Sequence, residues 1–296
     1  MSRSGRAETA DLRRLIARIE AGTAPAIGER AKGRINLARG LDHALGGGLA
    51  DDALHEIVPA APADGPAAGG FALALAARFL AARPSAALLI GEGFAAEEFG
   101  APYGPGLVAH GLPLGRLVFV RAPDAGAALW AMEEALKSGA PAAVVGELLS
   151  LKPYNLAASR RLLLAARKGR IPALLVLTGA HGRADRLSSA AATRFEIAAA
   201  PSARMSAASG KALPGPFACT ARLVKARLAL PCEGATEAVD SGRIHRLEWR
   251  CEERTFDDPA LPLALAAASG DRPRAARVGA VTEPAEIWVT NHIAAG

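Results

Sequence analysis

Between residues 53 and 178 the chain alternates short apolar runs with longer stretches of helical period, and this alternation narrows its possible folds more than anything else. The runs 53–58, 86–90, 116–121, 142–149 and 173–178 have the length and composition of buried strands. The stretches 67–82, 124–138 and 154–168 read as helices. In the second of them Leu129, Met132, Ala135 and Leu136 share one side, and Asp124 stands where an N-cap belongs. Strand and helix recur at roughly 25–35-residue intervals, which implies βαβ crossovers and a parallel sheet covered on both faces. After Ala190 the runs 194–199, 219–230 and 244–251 follow one another without helices, so an antiparallel extension or edge is expected there. The expected fold class is α/β, a mainly parallel sheet flanked by helices with an antiparallel C-terminal extension.

Hydrophobic residues make up 51% of the 296 but aromatics only 4%, so the core must be built from Ala, Leu, Val and Ile. Such side chains suit close helix-on-sheet layers better than a β-sandwich. The charged lead from Met1 to Arg6 is no signal-peptide core, and Arg78 and Arg83 interrupt the most apolar stretch. A cytoplasmic protein with no membrane partner is expected. Cys219, Cys232 and Cys251 are odd in number and widely spaced, which suits neither a disulfide framework nor a zinc site.

Three regions are expected: an N-terminal amphipathic helix and linker over 1–35, a core domain over 36–255, and a loosely ordered tail over 256–296. In the first, Leu12, Leu15, Ile16 and Ile19 recur at helical spacing opposite Arg13, Arg14 and Arg18. A lone helix of this length does not hold itself together in water. Those four apolar residues are therefore the expected assembly face, implying a homo-oligomer or a hetero-complex.

Ligands of open α/β sheets bind beyond the carboxyl ends of the strands. After Glu56-Ile57-Val58 comes a glycine-containing segment with Gly65, Gly69 and Gly70, the position a phosphate-binding loop takes in ATPases. It has no Lys, Ser or Thr anywhere between Glu56 and Arg83, so the charge that holds phosphate is missing. The acid that would hold Mg²⁺ should end the strand 142–145, but Gly146 stands there and Glu147 follows one position later. A one-residue slip turns a strand side chain to the opposite face. Gly65, Gly69, Gly70 and Glu147 thus read as a degenerate nucleotide loop with no catalytic residue, no metal and no cofactor. Ser209-Gly210-Lys211 lacks the rest of a phosphate loop. The fingerprint-like Gly91, Gly93 and Ala96 precede Gly100, Pro102 and Gly104, which break the helix a dinucleotide site needs.

Charge is unevenly placed. Residues 151–200 carry Lys152, Arg160, Arg161, Arg167, Lys168, Arg170, Arg183, Arg186 and Arg194 against Asp185 and Glu196, whereas 41–100 are acidic. Arg160 and Arg161 lie on a helix for which Leu162, Leu163 and Leu164 supply the packing face. Arg183 and Arg186 lie on a polar loop at a strand's carboxyl end. DNA phosphates and ordinary solvent fit these four arginines equally well on charge alone.

The segment Leu41-Asp42-His43-Ala44-Leu45-Gly46-Gly47-Gly48-Leu49, followed by Ala53-Leu54-His55-Glu56-Ile57, resembles the start of the RecA recombinase core. More closely, the chain resembles the RecA-related inducible mutagenesis protein A family, ImuA, sometimes grouped with the cell-division inhibitor SulA. The stretches that carry this are Tyr103–Leu107, Gly111–Ala122, Ala128–Gly139 and Ala158–Leu162. The resemblance implies a RecA-like fold and an SOS-induced accessory role in error-prone translesion synthesis. The partners it implies are a Y-family-like polymerase homologue and an error-prone replicative-type DNA polymerase. DNA is a further candidate. A degenerate RecA-type ATPase and a SulA-like inhibitor of a polymerising protein are the alternatives.

Overall fold

The computed structural model describes residues 33–93, 100–202, 205–206, 212–213, 215–227 and 243–258, and it opens on a small hairpin. Strands β1 (Arg34–Ile35) and β2 (Leu49–Ala50) pair antiparallel around helix α1 (Arg39–Ala44). The glycine run after α1 is dictated by geometry. Gly46, Gly47 and Gly48 all take positive φ, and a Cβ on Gly48 would lie 2.5 Å from the Ile35 carbonyl oxygen.

The main chain of elements then runs β3 (Leu54–Pro59), α2 (Gly65–Ala82), β4 (Ala87–Glu92), α3 (Gly104–Ala109), β5 (Leu117–Ala122), α4 (Ala125–Lys137), β6 (Ala143–Leu148), α5 (Leu156–Gly169), β7 (Ala173–Leu177) and β8 (Thr193–Ala199). A two-residue pair, β9 (Met205–Ser206) and β10 (Ala212–Leu213), stands apart. Strands β11 (Ala218–Ala226), β12 (Ile244–Arg250) and β13 (Thr255–Asp257) complete the chain's described part. The sheet has nine strands in the order β13-β12-β11-β8-β3-β7-β6-β4-β5. Pairing is parallel from β5 across to β8 and antiparallel through β11, β12 and β13. The mainly parallel α/β sheet with an antiparallel C-terminal extension is what the alternation of runs implies.

Each sheet face has its own core. On one, α2 buries Phe71, Leu75, Phe79 and a row of alanines against Ile57, Val145, Leu174, Phe195 and Leu223. Phe71 meets Phe195 edge-on at 5.4 Å, and Phe256 lies between Phe71 and Trp249. On the other face, α4 and α5 bury Leu129, Met132, Leu136 and Leu162 against Leu54, Val58, Val144 and Leu175. Asp124 caps α4 by accepting the Ala127 N–H at 2.8 Å, and Asn155 caps α5 through Ala158 at 3.0 Å. Helix α2 is long and apolar enough by composition to cross a membrane, yet its apolar side chains are spent on this core.

Several expectations are corrected. β8 is not part of the antiparallel extension; it pairs parallel with β3, and only its other edge meets the antiparallel β11. Its crossover from β7 is made by two 3₁₀ turns, Thr178–Ala180 and Ala184–Arg186, so no helical period marks it. β1 begins inside the expected linker. β13 runs past residue 255 and buries Phe256 in the core, so 256–258 are not loose. Leu164 does not pack: successive helix residues point about 100° apart, and it is exposed while Leu162 is buried. The expected assembly face Leu12, Leu15, Ile16 and Ile19 lies outside the described residues, as do Cys232 and most of the tail.

Candidate functional site

The expected glycine loop is a helix. The turn after β3 is only Ala60-Ala61 and a 3₁₀ turn, Pro62–Asp64, before α2 opens at Gly65, and Gly65, Gly69 and Gly70 all lie within α2. Pro66 in the first turn explains the early start, because a proline there gives up no hydrogen bond and presets φ. Gly70 has a packing reason: a Cβ there would lie 2.8 Å from the Phe217 ring. Asp64 is committed to backbone, its Oδ1 accepting the Ala199 N–H at 2.8 Å and its Oδ2 the Ala61 N–H at 3.0 Å.

Glu147 is the second correction. Val144 and Leu148 face α4 and α5, so Glu147 shares the α2 face with Ala143 and Val145. Thr178 Oγ1 donates to Glu147 Oε1 at 2.8 Å, and Thr178 Cγ2 lies 3.7 Å from the position a Gly65 Cβ would take. The slip therefore brings the Glu147 carboxylate into the corner below the α2 N-terminus. It is Gly146 that faces away, so close to α4 that a Cβ would lie 2.2 Å from Met132 Sδ. The corner thus holds the Glu147 carboxylate and Thr178. Among the described residues no three His, Cys, Asp or Glu side chains converge as a metal set.

The four arginines are not equivalent. Arg160 and Arg161 are on α5, where Arg161 Nε donates to Glu133 of α4 at 3.1 Å. Arg183 Nη2 folds back onto the Gly179 carbonyl at 2.6 Å. All four are exposed. Buried contacts bring α5 and the loop of Arg183 and Arg186 together, since the Ala190 N–H donates to Ser159 Oγ at 2.9 Å. Arg194, counted above with the surface charge, is buried.

Arg194 is the centre of a network the sequence reading missed. Its Nε donates to Glu56 Oε2 at 2.6 Å, and both side chains are nearly inaccessible. Its Nη1 donates to the Ala184 and Leu187 carbonyls at 2.7 and 2.8 Å, and its Nη2 to Ser189 Oγ at 2.8 Å. The Tyr154 hydroxyl donates to Glu56 Oε1. Burial, then the Glu56 charge, holds the Tyr154 phenol well above its ordinary pKa, so it stays a donor. Lys225 Nζ donates to the Ser189 carbonyl at 2.7 Å, and desolvation lowers it to about 8. Asp185 takes both ends of Arg222, whose hydrogen bonds hold its carboxyl below the ordinary range. The Arg183–Arg186 loop is thus pinned from beneath by β8 and from beside by β11. The one visible signal was Glu56 itself, a charge inside an apolar strand.

No family model matches the chain, and no curated protein matches its sequence. Among solved structures it is similar to the crystal structure of the RadB recombinase, at 18% identity and a TM-score of 0.44, over 75% of this chain and 97% of that one. The α/β class rests on the sheet order and pairing described above.

Proposed function

We propose that this chain is a non-catalytic, RecA-like accessory protein of error-prone translesion synthesis in the SOS response, joining polymerase partners at damaged DNA. The role and the partners, a Y-family-like polymerase homologue and an error-prone replicative-type polymerase, come from the ImuA-like segments. The observation that supports the non-catalytic part is the corner at the α2 N-terminus. A nucleoside triphosphate placed there would meet the Glu147 carboxylate, and the segment from Glu56 to Arg83 supplies no lysine. A carboxylate repels phosphate, and the segment lacks the lysine that would stabilise its transfer.

Calorimetry with Mg-ATP tests this part: no saturable heat is expected at micromolar protein, and saturable micromolar binding would establish the degenerate-ATPase alternative instead. A tagged chain recovered from DNA-damaged cells tests the partners. Polymerase homologues should co-purify; recovery of only a polymerising cell-division protein would favour the SulA-like alternative.

A further inference from the structure

A tryptophan stands in water on the outer surface of the helix layer. Trp130, on α4, is 66% exposed, whereas Trp249 is buried in the core. An indole kept out of the core forgoes a large apolar gain, so its position calls for a reason. Its surroundings are ionic. Residues three apart share a helix face, so Trp130 lies one turn before Glu133, which accepts from Arg161 Nε of α5 at 3.1 Å. Glu133 and Glu134 both pair with Lys137 further along α4, at 2.8 and 2.9 Å. Arg160 and Lys168 are exposed on α5. Lys137, Arg160, Arg161 and Lys168 therefore outnumber Glu133 and Glu134 around the indole. Leu129, Met132, Leu136 and Leu162 hold both helices on the sheet, so this surface is turned away from the sheet and from the corner at the α2 N-terminus.

Two kinds of partner use an exposed tryptophan. At a protein hot spot it sits inside a ring of apolar contacts that exclude water. On a surface that binds single-stranded nucleic acid it sits among cations, which take the phosphates while the ring takes a base. Glu133 and Arg161 beside Trp130 make the second arrangement, with the sign of charge that a polyanion requires.

We infer that single-stranded DNA crosses the outer face of α4 and α5, with an unpaired base stacked on Trp130 and a phosphate on Arg160. The inference rests on DNA being a partner of the arginine face; it adds which form of DNA is selected and the residue that selects it. Arg161 is already held by Glu133, which leaves Arg160 as the phosphate contact. The platform is rigid, because Asp124 caps α4 and the Glu133–Arg161 bond ties α4 to α5. Bases in a duplex stack on one another and show only their edges in the grooves, so an indole on a convex helix surface finds no base face there. Trp130 thus adds affinity for a single strand and none for a duplex. Stacking releases no counterions, so its contribution does not change with salt, whereas that of Arg160 does.

Fluorescence anisotropy of the full chain with a labelled oligothymidine, and with a hairpin duplex, tests this. Trp130→Ala should weaken oligothymidine binding by about 5- to 100-fold at an unchanged salt slope, with duplex binding and circular dichroism unaltered. Trp130→Phe should keep most of the affinity. Oligothymidine should also quench tryptophan fluorescence in the native chain and not in Trp130→Ala. Unchanged oligothymidine affinity in Trp130→Ala, or an equal loss on the duplex, would overturn the inference and leave the arginine face standing. A native chain that binds neither DNA would overturn both. If Trp130→Ala keeps its oligothymidine affinity but no longer recovers polymerase homologues from damaged cells, the indole belongs to a protein contact and the inference fails.

Discussion

Glu56 and Arg194 show how much one buried charge can govern. Neither could be buried alone, since an isolated charge in an apolar core is prohibitively costly. Here each of Arg194's donors finds an acceptor, and Glu56 takes two donors. Replacing Arg194 with Met leaves the Glu56 carboxylate without its buried cation, with only the Tyr154 hydroxyl on it, and takes the guanidinium from the Ala184 and Leu187 carbonyls; it should cost about 3–5 kcal/mol in urea unfolding. Replacing both, Glu56→Leu with Arg194→Met, should cost less than the single change, because the orphaned carboxylate is gone. A second residue-scale prediction concerns His55. Burial lowers its pKa to about 4, while its ring bridges Thr193 Oγ1 and the Ala50 carbonyl. The unfolded chain binds a proton near pH 6.5 and the folded chain does not until about pH 4. Stability from this residue is therefore complete above pH 6.5 and lost as pH falls toward 4, by about 3 kcal/mol. His55→Gln should flatten that part of the stability–pH curve; an unchanged slope would assign it to other groups. Neither partnership was legible in the sequence, because Thr193 and Arg194 lie 138 residues from the residues they pair with.

At the scale of elements, most of the fold was legible, and the failures have physical reasons. Helices α4 and α5 begin where Asp124 and Asn155 can cap them, and the apolar strands carry their own length. Gly65, Gly69 and Gly70 suggested a loop because glycine disfavours helix, although a helical period was legible from Ala67; burial of Phe71, Leu75 and Phe79 decides for the helix. β8 read as antiparallel because its crossover lacks a helix. Glu147 read as turned away because the register was counted from Gly146, which faces α4. That last point makes a prediction. Gly146→Asp would restore the acid by sequence, but its side chain would enter the Met132 packing on the wrong face. It should destabilise the fold by more than about 3 kcal/mol and confer no Mg-ATP binding in calorimetry. Gly70→Ala should also destabilise, by about 1–3 kcal/mol, because the Phe217 ring must move.

For the whole molecule, the formal charge of +6 does not say which cations are available to a polyanion. Within the basic stretch Arg194 is internal, Arg161 is shared with Glu133, and Arg183 is folded onto its own loop. On the neighbouring strand Arg222 is held by Asp185 and Glu196. Arg160, Arg161, Arg183 and Arg186 all face outward, carried by a helix and a loop that the Glu56–Arg194 pair locks together, but Arg161 and Arg183 already have acceptors. If DNA docks on this face, binding should depend on salt, with each phosphate contact adding about 0.9 to the slope of log K against log salt. Removing Arg160, Arg161, Arg183 and Arg186 together should weaken binding and lower that slope by about 2 rather than 4. The Arg160→Ala, Arg186→Ala pair should account for most of the loss, while Arg161→Ala with Arg183→Ala should account for little. Fluorescence anisotropy across a salt series separates the two pairs. Equal losses from both would mean that DNA pulls Arg161 and Arg183 away from their internal acceptors, and an unchanged isotherm in the quadruple variant would remove this face from DNA binding altogether.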